Sequence, residues 1–105
     1  GISSAPGISA YTASKHAVVG MTRSAAVEYV RDAIRVNAVA PGTVDTGMLA
    51  DVPSERRDEL NALMPMGRMA RPEEVAEVVA FLLSERASYV NGAIVTIDGG
   101  SSAHA

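Results

Sequence analysis

Cysteine is absent from the 105 residues, which excludes disulfides and thiolate-bound metal from the chemistry of this chain. That absence is compatible with a reducing cytoplasm, the expected location. Long apolar runs are missing as well, none approaching the roughly 20 residues that a membrane-spanning helix requires. Basic blocks are also missing. The net charge is −3 and arginines alternate with acids, so neither nucleic acid nor an anionic membrane is expected as a partner. The two histidines, His16 and His104, have no companions at metal-ligand spacing, and no metal site is expected. Lysine is nearly absent. Lys15 is the only one among nine basic side chains.

What is there reads as one domain at most, with a core of modest size. Residues 1–9 are rich in Gly, Ser and Pro and read as a loop, with Ser9 as N-cap of a helix from about Ala10 to Val30. Within that helix Ala13, Ala17, Gly20 and Ser24 draw a stripe of small side chains, suited to close packing against the domain's own elements or against a second subunit. "AIRVNAVAPG" alternates from Ile34 to Ala40 as a strand would, and ends in a Pro41-Gly42 turn. Residues 43–70 form a long connection with a short helix over about Ser54–Leu63, and carry Met48, Met64, Met66 and Met69.

In "RPEEVAEVVAFLLSE" Pro72 suits a first helical turn, and Glu73 and Glu74 complement its positive end. Val75, Val78, Val79, Leu82 and Leu83 form an apolar stripe. After Asn91-Gly92, "AIVTI" reads as a second strand ending at Asp98-Gly99-Gly100. The alternation of helix and strand indicates an α/β fold with a parallel crossover. Two strands alone would leave sheet surface uncovered.

Tyr11 precedes Lys15 by four positions on the expected first helix, which sets them one turn apart. An isolated tyrosine has a pKa of about 10. Lowering it by about 3 units requires about 4 kcal/mol of preference for the phenolate, which a neighbouring ammonium can supply only where water is partly excluded. A tyrosine so tuned exchanges a proton with a hydroxyl or carbonyl oxygen. The pair by itself also fits an ordinary exposed side-chain contact. The methionines of the long connection are open in the same way, as lining for an apolar substrate or as packing under the short helix.

Taken together, "YTASK", "RVNAVAPGTVDTGM", "RPEEVAEVVAFLLS" and "DGG" closely resemble the C-terminal half of the short-chain dehydrogenase/reductase family, in the same order and spacing from about Tyr11 to Gly100. The resemblance implies an α/β fold, the C-terminal part of a Rossmann-like doubly wound parallel sheet, incomplete in this chain. It implies an oxidoreductase that interconverts an alcohol and a carbonyl with NAD or NADP. Tyr11 would be the general acid/base, and Lys15 would hold the nicotinamide ribose and make the phenol more acidic. Pro41 and Gly42 would turn the chain at the end of a strand, the Val44 backbone would meet the nicotinamide carboxamide, and the Thr46 hydroxyl would add a hydrogen bond to the cofactor. Residues 43–70 would cover the substrate, a small alcohol or carbonyl compound, and a homodimer or homotetramer is expected.

The glycine-rich turn that binds pyrophosphate is missing, and so is the residue that selects NAD or NADP. The family's catalytic serine would fall just upstream of Gly1; Ser3, Ser4 and Ser9 are too near Tyr11 for that role. The expectation is therefore that the coding sequence continues upstream, and that residues 1–105 alone neither hold a dinucleotide tightly nor turn over. Inside the match, Asn91 stands where threonine is common. The alternative, from a different class, is a truncated, non-catalytic oligomerisation module built on the two strong helices; a remnant that never folds is the third.

Overall fold

A computed structural model describes the backbone of residues 6–103 and the side chains of residues 10 and 12–103. Its elements are helix α1 (Pro6–Tyr29), a 3₁₀ turn (Val30–Asp32), strand β1 (Ala38–Pro41), helix α2 (Ser54–Ala62), helix α3 (Pro72–Leu83), a second 3₁₀ turn (Glu85–Ala87) and strand β2 (Ile94–Ile97). The strands are neighbours in one sheet. They run parallel, because the bonds Ala38 N–H to Ala93 C=O and Gly42 N–H to Ile97 C=O advance in the same direction on both. The α/β reading therefore stands. The chain divides into two units, Gly1–Ala38 with Ser88–Ile94 and Val39–Ala87 with Val95–Ala105.

In the first unit α1 begins at Pro6, four residues earlier than expected from the Ser9 cap. A proline at the first helical position has no N–H to leave unbonded and its φ already suits a helix, so it opens the helix in place of Ser9. The expected loop is thus corrected over residues 6–9, while residues 1–5 lie outside the described set. Thr22 and Ala26 form the buried side of α1. Ala13, Ala17, Gly20 and Ser24 are exposed, so among the described residues nothing covers the small-residue stripe. The 3₁₀ turn that follows α1 is capped by Ala33, whose φ of 61° lets the Ile34 N–H reach back to the Tyr29 carbonyl.

The first strand starts at Ala38 and not at Ile34. The alternating pattern was the right signal, but residues 35–37 give their polar groups to the segment before β2. The Asn37 side chain donates to the Val90 carbonyl at 3.0 Å and accepts from the Ala93 N–H at 2.9 Å. Asn91 reciprocates, accepting from the Val36 N–H and donating to the Ala26 carbonyl, each at 3.0 Å. Gly92 completes the clasp, since its φ of 81° is costly for any residue with a side chain and a Cβ there would lie 3.3 Å from that of Ala26. Asn91 is thus the tie between α1 and the strand entry.

In the second unit α2 and α3 keep the expected bounds within a residue or two. On α3, Val75, Val78 and Val79 are half-buried and Leu82 is buried at 8% exposure, whereas Leu83 is 80% exposed. At 3.6 residues per turn Leu82 stands within about 20° of Val75 around the helix axis, and Leu83 about 80° away. That rotation removes Leu83 from the expected stripe. Among the described residues the buried apolar side chains are Ala26, Leu82 and Ala87, and both strands stay largely half-buried. The expectation of uncovered sheet surface is met.

Replacing Asn37 by alanine strands the Ala93 N–H and leaves the Val90 carbonyl with the Arg35 guanidinium alone, at 3.1 Å. A loss of about 1–3 kcal/mol is expected, read as a lowered midpoint in chemical denaturation, with Asn37→Asp (which keeps the acceptor) less affected than Asn37→Ala.

Candidate active site

The residues singled out in the sequence fall in both units. Tyr11 and Lys15 belong to α1 in the first, four residues apart along one continuous helix. The Tyr11 side chain lies outside the described set; Lys15 is exposed. One turn of helix separates their backbones, as the spacing requires. His16, on the same helix, is exposed and its Nδ1 lies 2.9 Å from the Thr12 carbonyl. His104 is outside the described set.

Pro41, Gly42, Val44 and Thr46 belong to the second unit, directly after β1. The expected Pro41-Gly42 turn does not form: Pro41 is the last residue of β1 and Gly42 continues the ladder by donating to Ile97 at 2.9 Å, so the backbone stays extended into the next pairing. A Cβ at Gly42 would lie 2.7 Å from the Asp98 Cβ and 3.0 Å from its Cα, so glycine is demanded here by close approach of two backbones. Asp98 is itself fixed by the turn after β2. Its carboxylate accepts from the Gly100 N–H, the Ser102 N–H and the Ser102 hydroxyl, and the Ser102 hydroxyl leads in holding its pKa below the ordinary carboxylate value.

Beyond Gly42 the chain makes one further parallel bridge, Val44 with Ala70. The Ala70 N–H donates to Thr43 at 3.0 Å and the Asp45 N–H donates to Ala70 at 2.8 Å. Successive peptides of an extended segment point to opposite edges. Because Thr43 and Asp45 supply the bonds to Ala70, the N–H and C=O of Val44 are directed to the other edge, where no described residue meets them. Immediately after, the Asp45 carboxylate accepts from the Gly47 N–H at 3.0 Å, and Gly47 has a φ of 85°. This is an Asx turn, and it holds the exposed Thr46 at its tip. The second set of site residues is therefore a backbone edge followed by a presented hydroxyl.

Sequence reading missed the residues that hold this loop. Ala70 carries no chemical signal at all. Arg68 and Glu74 form a two-pronged ion pair, with nitrogen–oxygen distances of 2.7 and 3.0 Å. A glutamate three residues into a helix is a known start signal, and Glu74 also accepts from the Arg71 N–H at 2.9 Å. The Arg68 bonds, ahead of that backbone bond, hold the Glu74 pKa down to about 2. Of the methionines, Met48 is 86% exposed. Met64 and Met66 line a cavity of about 170 Å³ with Arg68, Glu74, Ile97 and Gly99. Among the described residues no cluster of acids or histidines could hold a metal ion, and no helix is long and apolar enough to cross a membrane.

Comparison with known proteins decides what this arrangement belongs to. A family model described as enoyl-(acyl carrier protein) reductase matches residues 1–102. The chain is 55% identical to cis-4-hydroxycyclohexanecarboxylate dehydrogenase of Sinomonas cyclohexanicum, over 90% of this chain and 38% of that protein. It is 48% identical to the short-chain dehydrogenase fogB of Aspergillus ruber, over 92% of this chain and 37% of that protein. The chain belongs to the short-chain dehydrogenase/reductase family. It is also 47% identical to the 3-oxoacyl-(acyl-carrier-protein) reductase FabG of Thermotoga maritima, over 95% of this chain and 41% of that protein. The chain spans about two fifths of the length of these family members. Its helices and parallel strand pair are part of the family's Rossmann-like α/β fold.

The contact at Gly42 gives a direct check on the loop. Gly42→Ala must push the turn at Asp98 away, and a destabilisation of about 1–3 kcal/mol is expected. Urea denaturation measures it, and an unchanged midpoint would show that the turn yields freely.

Proposed function

We propose that this chain is the C-terminal portion of a single NAD(P)-binding domain, and that the full-length protein interconverts an alcohol and a carbonyl by hydride transfer. The observation that carries the reading is the family match over residues 1–102, joined to the Tyr11–Lys15 spacing on one helix. The relatives' names support the substrate class, since they specify a hydroxy acid dehydrogenase and an oxoacyl reductase.

In this reading Tyr11 is the general acid/base. During reduction its phenol gives a proton to the carbonyl oxygen, and during oxidation its phenolate takes the proton of the alcohol. Lys15 donates to the nicotinamide ribose and, as a compact cation one turn from Tyr11, favours the phenolate. The loop after β1 fits a nicotinamide carboxamide, because Val44 offers both a peptide donor and a peptide acceptor on one edge. Thr46 adds its hydroxyl, and Pro41 and Gly42, at the end of the β1 ladder, carry the extended chain to that edge. When bound, NAD or NADP supplies or accepts the hydride. Residues 43–70 cover the substrate. The protein associates as a homodimer or homotetramer, for which the exposed stripe of α1 with its neighbours Val18, Met21 and Val27 is the supporting feature.

In the full-length protein Tyr11→Phe should lower kcat by at least about 100-fold and leave the thermal midpoint within about a degree of wild type. The assay is NAD(P)H consumption with a ketone panel. Activity within a few-fold of wild type would remove Tyr11 from the proton transfer.

A further inference from the structure

The bridge that orients Val44 rests on a single residue of the opposing segment, Ala70, which has no side chain able to fix itself. Its anchors lie on either side. Arg68 donates to both oxygens of Glu74 and also, through the same Nη1, to the Met69 carbonyl at 3.1 Å. On the other side the Arg71 N–H donates to Glu74 Oε1 at 2.9 Å, and the Arg71 guanidinium lies 3.9 Å from Oε2. One carboxylate thus pins the residues two before and one after Ala70 to the first turn of α3. The Ala70 N–H and C=O are left facing Thr43 and Asp45.

We propose that Glu74 is a positioning residue for the cofactor loop. Its carboxylate sets the path of residues 68–71, Ala70 transmits that path to Thr43 and Asp45, and the Val44 peptide is presented as a result. In this role Glu74 acts through Ala70 and needs no contact with substrate or cofactor. A capping role alone would confine its effect to the start of α3, whereas the positioning role extends it to an amide far earlier in the chain, that of Asp45. The inference deepens the function proposed above and rests on it for its kinetic part; the structural part stands separately.

The test uses the full-length protein with Glu74→Ala and Glu74→Gln, and with Glu77→Gln as a control on the exposed side of the same helix. Amide exchange at Asp45 should accelerate at least about 10-fold in Glu74→Ala, the equivalent of losing one bond's worth of protection, while exchange at Gly42 stays as in wild type. The KM for NAD(P)H should rise by about 10-fold with kcat within about 3-fold. Glu74→Gln keeps an acceptor for the Arg71 N–H and should fall between wild type and Glu74→Ala, which covers the case of a poorly folding alanine variant. Unchanged Asp45 exchange overturns the proposal. So does accelerated exchange with an unchanged KM in an active enzyme. A wild-type protein without nicotinamide-dependent turnover counts against the proposed function, and the exchange comparison still decides whether Glu74 holds the loop.

Discussion

The pairing of Ala70 with Thr43 and Asp45 is the constraint on which the loop after β1 depends. It converts an otherwise free turn after β1 into one more step of parallel pairing, and it gives Val44 a defined edge. Two hydrogen bonds contribute only about 1 kcal/mol each, too little to order a loop by themselves when each residue costs about 1–2 kcal/mol of backbone entropy. The supports on each side supply the remainder. Gly42 is locked against Asp98, the Asx turn at Asp45 fixes Thr46 and Gly47, and the Arg68–Glu74 pair fixes Ala70.

The position of this loop agrees with a general property of open parallel sheets, whose ligands sit beyond the carboxyl ends of the strands. Residues 42–46 come after the end of β1, and Asp98–Gly100 after the end of β2. The chemistry divides by element. Helix α1 carries the candidate pair Tyr11 and Lys15, and the loop offers peptide groups and one hydroxyl. The single lysine of a chain otherwise served by arginine suits the role proposed for it, because an ammonium is a small donor that could serve ribose hydroxyls and a phenolate together where a planar guanidinium would be too large.

Much of this was legible in the sequence where one physical signal dominated. Helix α3 announced itself through Pro72, its acidic first turn and its apolar stripe, and β2 through its β-branched run before Asp98-Gly99. The errors arose where two signals competed. Ser9 is a good cap, but Pro6 offered an earlier start. Alternation from Ile34 looked like strand, yet Asn37 and Asn91 replaced ladder bonds by side-chain bonds, and neither partner could be foreseen across separations of 53 and 55 residues. Pro41, Gly42, Val44 and Thr46 were singled out through the family's motif. Ala70 was invisible, since its contribution is made entirely by its backbone.

The most direct measurement is the structure of the full-length protein crystallised with NAD(P)H. The account predicts the nicotinamide carboxamide hydrogen-bonded to the Val44 peptide, with Ala70 still paired to Thr43 and Asp45. A carboxamide bound by other groups, or a complex in which that pairing is broken, would contradict it.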